Sequence, residues 1–184
     1  MRHPRVLNSQ QALLLIVDIQ EAFRKRLSDV GDLSRNVSIL VEAAKILDIP
    51  IFLTEQYPQG LGKTLAEIQA CLGDYEYFDK SAFSCCGADG FNEALKATGR
   101  NQIIVCGIEA HVCVSQTVHD LLQSGYSVHV LSDAISSRSP KNKEVGIQKM
   151  VASGAVISCL EMALFELLVQ SGTETFKAVQ RLIK

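Results

Sequence analysis

The stretch Ile103-Ile-Val-Cys-Gly-Ile-Glu-Ala-His-Val-Cys-Val114 sets the fold of this chain. Ile103 to Cys106 is an unbroken apolar run, the signature of a buried strand. Gly107 interrupts it, and the spacing predicts an amphipathic helix from Cys113 to Ser124, stopped by Gly125. Cys113 therefore belongs where a strand tip meets a helix N-terminus. The partial positive charge of such a helix end is expected to lower a thiol's pKa, and its free N–H groups suit an oxyanion. A cysteine so placed is a candidate nucleophile. The competing reading is a helix-face cysteine packed inward.

Outward from this segment, strand and helix patterns alternate. Leu13–Val17 reads as a strand ending at Asp18, Leu33–Leu47 as a helix closed by Pro50, and Ile51–Thr54 as the next strand. Gln56–Lys63 reads as a loop, Glu76–Phe78 as a short strand and Phe91–Ala97 as a helix. Ser127–Leu131 is a strand expected to end at Ser132–Asp133, followed by a helix over Lys141–Ser153 and a strand over Ala155–Ile157. Helices over Met162–Gln170 and Glu174–Ile183 close the chain. Alternating strands and helices with short links predict an α/β fold, a mostly parallel sheet covered by helices on both faces. Unbroken apolar strands fit a sheet buried on both sides. Ligands of such sheets bind beyond the carboxyl ends of the strands. Asp18, Lys80, Cys113 and Asp133 are all expected at such ends.

Composition narrows the function. The 184 residues suit one domain spanning 1–184, and 47% hydrophobic residues supply a core. Eighteen basic against 20 acidic residues give a net charge of −2, so no basic surface draws nucleic acid or anionic lipid. The longest apolar run, Ala12 to Val17, is far too short to span a bilayer, and the basic N-terminal stretch lacks a cleavage site of small residues. Cys71, Cys85, Cys86, Cys106, Cys113 and Cys159 form no Cys-x-x-Cys pair. They read as free thiols of a reducing compartment, which makes a cytoplasmic location the expectation.

Several residues besides Cys113 bear on the chemistry. Asp18 follows five apolar residues, where a carboxylate is placed to accept a proton or, more simply, to cap a helix. Lys80, in Phe78-Asp-Lys-Ser-Ala-Phe83, would stabilise a thiolate or orient Asp18 if brought near either, and would otherwise be a solvated surface lysine. His111 and His119 lie close to Cys113 in sequence, but their offsets suit a base poorly, so both read as peripheral. Cys85–Cys86 is a vicinal pair without histidines at metal-ligand spacing. Gly60-Leu-Gly-Lys-Thr64 imitates the end of a phosphate-binding loop, but the required first glycine is replaced by Tyr57.

Taken together, Val17-Asp-Ile-Gln-Glu-Ala-Phe23, Asp79-Lys-Ser-Ala-Phe-Ser84, Gly107-Ile-Glu-Ala-His-Val-Cys-Val114 and Asp133-Ala-Ile-Ser-Ser-Arg-Ser139 resemble the isochorismatase-like cysteine hydrolase superfamily. The likeness runs from about Ala12 to about Phe165, and Thr54–Gly62 is most similar to its isochorismatase domain-containing branch. The resemblance implies a three-layer Rossmann-like fold with a six-stranded sheet in the order 3-2-1-4-5-6. It implies a catalytic triad in which Asp18 takes the thiol proton, Lys80 orients Asp18 and Cys113 attacks carbon to form a covalent intermediate. It further implies a cis peptide at Ile108–Glu109, an oxyanion hole made by the N–H groups of Glu109 and Cys113, and substrate contacts from Gln20, Phe23, Gln56, Tyr57 and Phe83. The metal-binding histidines of the superfamily's nicotinamidases have no counterpart in Thr54–Tyr57, so neither metal nor cofactor is expected. The activity implied is amide-like C–N hydrolysis of a small molecule by a homo-oligomer with no nucleic-acid or membrane partner. The alternatives are a non-catalytic member that binds a metabolite or partner, and a thiol redox protein.

Overall fold

The computed structural model describes residues 2–184. The chain runs from β1 (Ala12–Val17) through α1 (Val30–Ile46), β2 (Ile51–Gln56), α2 (Pro58–Leu61), α3 (Ala66–Cys71) and β3 (Glu76–Lys80) to α4 (Phe91–Ala97). It continues through β4 (Gln102–Ile108), α5 (Ser115–Gln123), β5 (Ser127–Ser136), α6 (Pro140–Ala152) and β6 (Val156–Ser158) to α7 (Leu160–Leu168) and α8 (Glu174–Gln180). The six strands form one sheet in the order β3-β2-β1-β4-β5-β6, and every neighbouring pair is parallel. This is the order that the family resemblance implies.

Strand alternation divides the core into two layers. Leu14 and Ile16 of β1 face one side with Ile51, Leu53, Ile104 and Cys106, where α1, α3, α7 and α8 pack through Leu33, Val37, Ile68, Leu164 and Val179. Leu13, Leu15 and Val17 face the other side with Ile103 and Val105, under Phe91, Leu95, Val118, Leu121 and Met150 of α4, α5 and α6. Every residue of β1 is buried, as a central strand covered on both faces requires. Among the described residues, no helix is long and apolar enough to cross a membrane.

Two local departures from the expected elements matter. The anticipated loop after β2 contains the short helix α2, and the unexpected α3 follows it. β5 runs on to Ser136 instead of ending at Ser132–Asp133, because the register shifts between Val105 and Gly107: β5 takes up extra residues between Val130 and Ile135 and then pairs Ile135 with Gly107 and Ser136 with Ile108. Asp133 thus lies inside a strand. Its carboxylate accepts the Leu160 N–H at 2.9 Å, at the start of α7, and it does not join the other residues expected at strand ends.

The sheet order reverses between β1 and β4, whose carboxyl ends lie side by side through Val17 and Gly107. Gly107 has φ +134°, and a Cβ there would stand 2.2 Å from the Val17 carbonyl oxygen. Only glycine lets the two backbones approach so closely at this point. Asp18 is the next residue on one strand, and the turn carrying Cys113 follows the other.

Candidate active site

Asp18 has φ +53°, a left-handed conformation that aspartate tolerates better than most residues. Its N–H still bonds the Thr54 carbonyl of β2 at 3.1 Å, which ties the residue to the sheet. The carboxylate is held from two sides: Oδ1 accepts from Thr54 Oγ1 at 2.7 Å, and Oδ2 accepts from Lys80 Nζ at 2.6 Å. Lys80 ends β3, two strands away. Its ammonium also donates to Gln56 Oε1 at 2.8 Å, Phe83 O at 3.0 Å and Ala82 O at 3.2 Å. Acceptors thus surround the ammonium, and its side chain is fully buried against Asp18.

Cys113 sits in a single wide turn, Ala110–Val114, of the π type that recurs at functional sites. Val112 and Val114 both donate to Glu109 O, at 2.9 and 3.3 Å. The peptide Ile108–Glu109 is cis, at the position the family resemblance implies. Helix α6 packs directly on this turn through Gly146, where a Cβ would meet Ala110 O at 2.9 Å and His111 Cα at 3.0 Å. α5 begins only at Ser115, so the thiol precedes the first full helical turn.

The thiol's acidity differs from the expectation. Burial, the Asp18 charge and Asp18 hydrogen bonding outweigh the opposing charge of Lys80 and push the Cys113 thiol up to about 12. A helix end lowers a thiol's pKa and apolar burial raises it, and here desolvation and a neighbouring carboxylate win. At rest near neutral pH, Cys113 carries its proton next to a carboxylate that can accept it.

Asp18 and Cys113 open on one cavity of about 200 Å³, whose lining is completed by Phe23, Gln56, Leu61, Phe83, Ile108, Glu109, Val112 and Arg138. Of the substrate contacts expected from the resemblance, Phe23, Gln56 and Phe83 line it. Gln20 does not: it is fully buried, its Nε2 donating to Gln56 O and Gly62 O at 3.0 and 2.7 Å and its Oε1 accepting the Gln56 N–H at 2.9 Å. It staples the 56–62 segment to the sheet. Tyr57 lines an adjoining open cleft of about 350 Å³ instead, with Asp79, Ser81 and Asp89. Leu61, Ile108, Val112 and Arg138 were not singled out from the sequence. The Arg138 backbone N–H and Nε both donate to Glu109 Oε1, at 2.9 and 3.0 Å. Burial alone would raise the Glu109 carboxyl, but these donors hold it below the ordinary carboxylate range.

Behind the site, the Cys85 sulfur lies 3.5 Å from Thr54 Oγ1, and burial pushes its thiol up to about 12. Cys86 is more exposed and all six cysteines are free. Two histidine rings are held elsewhere: His111 Nδ1 pairs with Ser137 Oγ at 3.0 Å, and His119 bridges the Ser115 carbonyl and Ser153. Among the described residues, no group of three or more His, Cys, Asp or Glu side chains is arranged to hold a metal ion.

With this geometry established, relatives place the chain. A secreted isochorismatase effector, Isc1, of Phytophthora sojae is 37% identical over 177 residues, covering 94% of this chain and 84% of the relative. Isochorismatase domain-containing protein 2 of Danio rerio is 35% identical, covering 96% and 89% of the two chains. The solved structure of MAR1 ribonuclease from Caenorhabditis elegans superposes with a TM-score of 0.92 at 38% identity, covering 96% and 91%. The isochorismatase domain model matches residues 12–162, and the chain belongs to the isochorismatase family of hydrolases.

Proposed function

We propose that the chain is a metal-independent cysteine hydrolase acting on a small amide-like substrate through Cys113, Asp18 and Lys80. The observation that carries this reading is convergence: a thiol and a carboxylate from two different strand ends open on one cavity, with an ammonium fixed behind the carboxylate. Asp18 takes the thiol proton as the Cys113 sulfur attacks the carbonyl carbon, forming the C–S bond and an oxyanion. The N–H groups of Glu109 and Cys113 receive that oxyanion. Asp18 then returns the proton to the leaving nitrogen as the C–N bond breaks, leaving a thioester. A water deprotonated by Asp18 attacks the thioester, the C–S bond breaks, and the released sulfur regains the proton. Lys80, at 2.6 Å from Oδ2, keeps Asp18 aimed throughout.

The cavity volume corresponds to about seven waters' share of liquid, which suits a small molecule. The nematode relative carries the name ribonuclease, but a chain of net charge −2 with a mostly apolar cavity offers an RNA strand little to hold. A homo-oligomeric state and a cytoplasmic location belong to the same proposal. Met162, Phe165 and Val169 leave an exposed apolar strip along α7.

The test is intact-mass trapping during a screen of small amides, carbamates and hydroxamates, with a short RNA as a parallel substrate. The expected result is an acyl-sized adduct on the parent protein. Cys113→Ala should lose the adduct and lower turnover by about a thousandfold or more while keeping its circular dichroism spectrum. Full turnover by Cys113→Ala, or RNA cleavage that survives it, would overturn the proposal. Tight binding without turnover or adduct would assign a non-catalytic role.

A further inference from the structure

We propose that Cys85 and Thr54 are positioning residues for the base: a one-way chain of hydrogen bonds, from the Cys85 thiol to the Thr54 hydroxyl to the Asp18 carboxylate, fixes where Asp18 points and so how readily it takes the Cys113 proton; the effect on turnover rests on the hydrolase reading above. The direction of the chain follows from counting protons. A carboxylate only accepts, so Thr54 Oγ1 donates to Asp18 Oδ1 at 2.7 Å. A hydroxyl carries one proton, and that bond uses it. The contact of 3.5 Å between Thr54 Oγ1 and the Cys85 sulfur therefore has the thiol as donor. Both residues are wholly buried, so neither bond competes with bulk water.

Thr54 suits this task in a way that Lys80 does not. A β-branched side chain on the buried strand β2 is stiff at χ1. An ammonium on a flexible four-carbon stem can follow a carboxylate that turns. A hydroxyl proton left to itself swings to whichever acceptor is near. With Cys85 donating to its oxygen, the Thr54 proton is reserved for Asp18, and a hydroxyl that accepts one bond is the stronger donor in the next. Thr54 on Oδ1 and Lys80 on Oδ2 then hold the plane of the carboxylate between them. Packing alone asks for no hydroxyl at position 54, since valine, also branched at Cβ, fills nearly the same space.

The segment that carries Cys85 also grips the other half of the ion pair. Ala82 O and Phe83 O accept from Lys80 Nζ, and Cys85 begins the turn that follows. The Cys85 N–H donates to Thr117 Oγ1 at 2.9 Å, on α5, the helix into which the Cys113 turn leads. One short stretch, 82–85, thus ties the ammonium, the base and the nucleophile's helix together. The vicinal pair divides accordingly: Cys85 faces Thr54, whereas Cys86 is only half-buried and its N–H donates to Ser84 Oγ.

Infrared spectroscopy reads the chain without any ligand. The Cys85 S–H stretch is the band that Cys85→Ala removes, and in Thr54→Val it should move to higher frequency as the thiol loses its acceptor. Turnover is read on the amide that the parent hydrolyses fastest in the screen above. Thr54→Val should lower kcat by about tenfold or more, the range for losing a hydrogen bond to a charged group, while KM changes by less than about threefold. Thr54→Ser should restore most of that loss. Cys85→Ala should lower kcat by about threefold, as for a weak neutral donor, and Cys85→Ser should restore it. The Cys85 variants decide the matter if Thr54→Val does not fold. An unmoved S–H band in folded Thr54→Val would overturn the chain, as would an unchanged kcat, a loss that falls on KM, or one that the serine variants fail to restore. A shifted band in a parent that hydrolyses no amide would sustain the chain and end the hydrolase reading.

Discussion

Lys80 Nζ lies 2.6 Å from Asp18 Oδ2, and neither side chain is more than 3% exposed. Such a pair is costly to bury and costlier to break, because removing one partner strands the other charge away from water. Asp18 lines the cavity that Cys113 also lines, and Lys80 stands behind it, so the pair sets the position of the carboxylate beside the thiol. Thr54 Oγ1, at 2.7 Å from the other carboxylate oxygen, fixes the direction in which that charge can act.

Replacing Lys80 with Met should therefore destabilise the fold by about 3–5 kcal/mol, the range for breaking a buried pair. Combining it with Asp18→Leu should recover much of that loss, since no charge then remains unpaired. Urea unfolding of the two single variants and the double variant measures the coupling. Strict additivity would show that the two groups do not act as a pair. Turnover should be absent from both Lys80→Met and the double variant even where folding is restored.

The thiol gives a prediction in which reactivity and turnover move in opposite directions. Burial is the largest cause that pushes Cys113 up to about 12, and the Asp18 charge is the next. Asp18→Asn removes that charge and leaves the Lys80 ammonium, which favours the thiolate. The thiolate absorbance should then titrate at a lower pH than in the parent, while hydrolysis falls because no base remains to carry the proton. In the parent, thiolate should be scarce at neutral pH and increase only in strongly alkaline solution. An unchanged or higher titration midpoint in folded Asp18→Asn would show that Asp18 does not bear on the sulfur.

The fold, and the meeting of Asp18 and Cys113 at one cavity, were legible because both are written as breaks in hydrophobic runs. Asp18 ends five apolar residues, and Gly107 divides the strand that leads to Cys113. What escaped depends on contacts that no local pattern carries. Arg138 meets Glu109 across 29 positions of sequence, so its place on the cavity wall follows from the extended end of β5 and the cis-linked turn together. Gln20 lies close to Asp18 in sequence, but the left-handed backbone at Asp18 redirects the chain and sends the Gln20 amide inward between Gln56 and Gly62. Ser132 and Asp133 interrupt the apolar run and so read as a strand end; the register shift that takes up the extra residues of β5 opposite β4, invisible in either strand alone, lets β5 continue. The acidity of Cys113 escapes the sequence for a related reason. A helix terminus can be read from sequence, whereas the depth of the thiol and the carboxylate beside it are properties of packing.

His129 supplies a pH prediction that lies away from the active site. It sits in β5 with no exposed surface, its Nδ1 has no hydrogen-bond partner among the described residues, and its Nε2 is 3.3 Å from Ser127 Oγ. Burial lowers its pKa below the ordinary 6.5, and the Glu166 charge opposes that only in part. Above about pH 6.5 the ring is neutral in both the folded and the unfolded chain and stability does not depend on it. As the pH falls below that value the unfolded chain binds a proton that the folded chain refuses. Stability should then drop by about 1.4 kcal/mol per pH unit until the lowered folded pKa is reached, because one proton is taken up on unfolding. In His129→Leu that slope should vanish between the two pKa values, while carboxylate-driven losses at lower pH remain. Urea midpoints of the parent and the variant, followed from pH 8 downward, decide the matter: parallel curves would assign the acid sensitivity to another group.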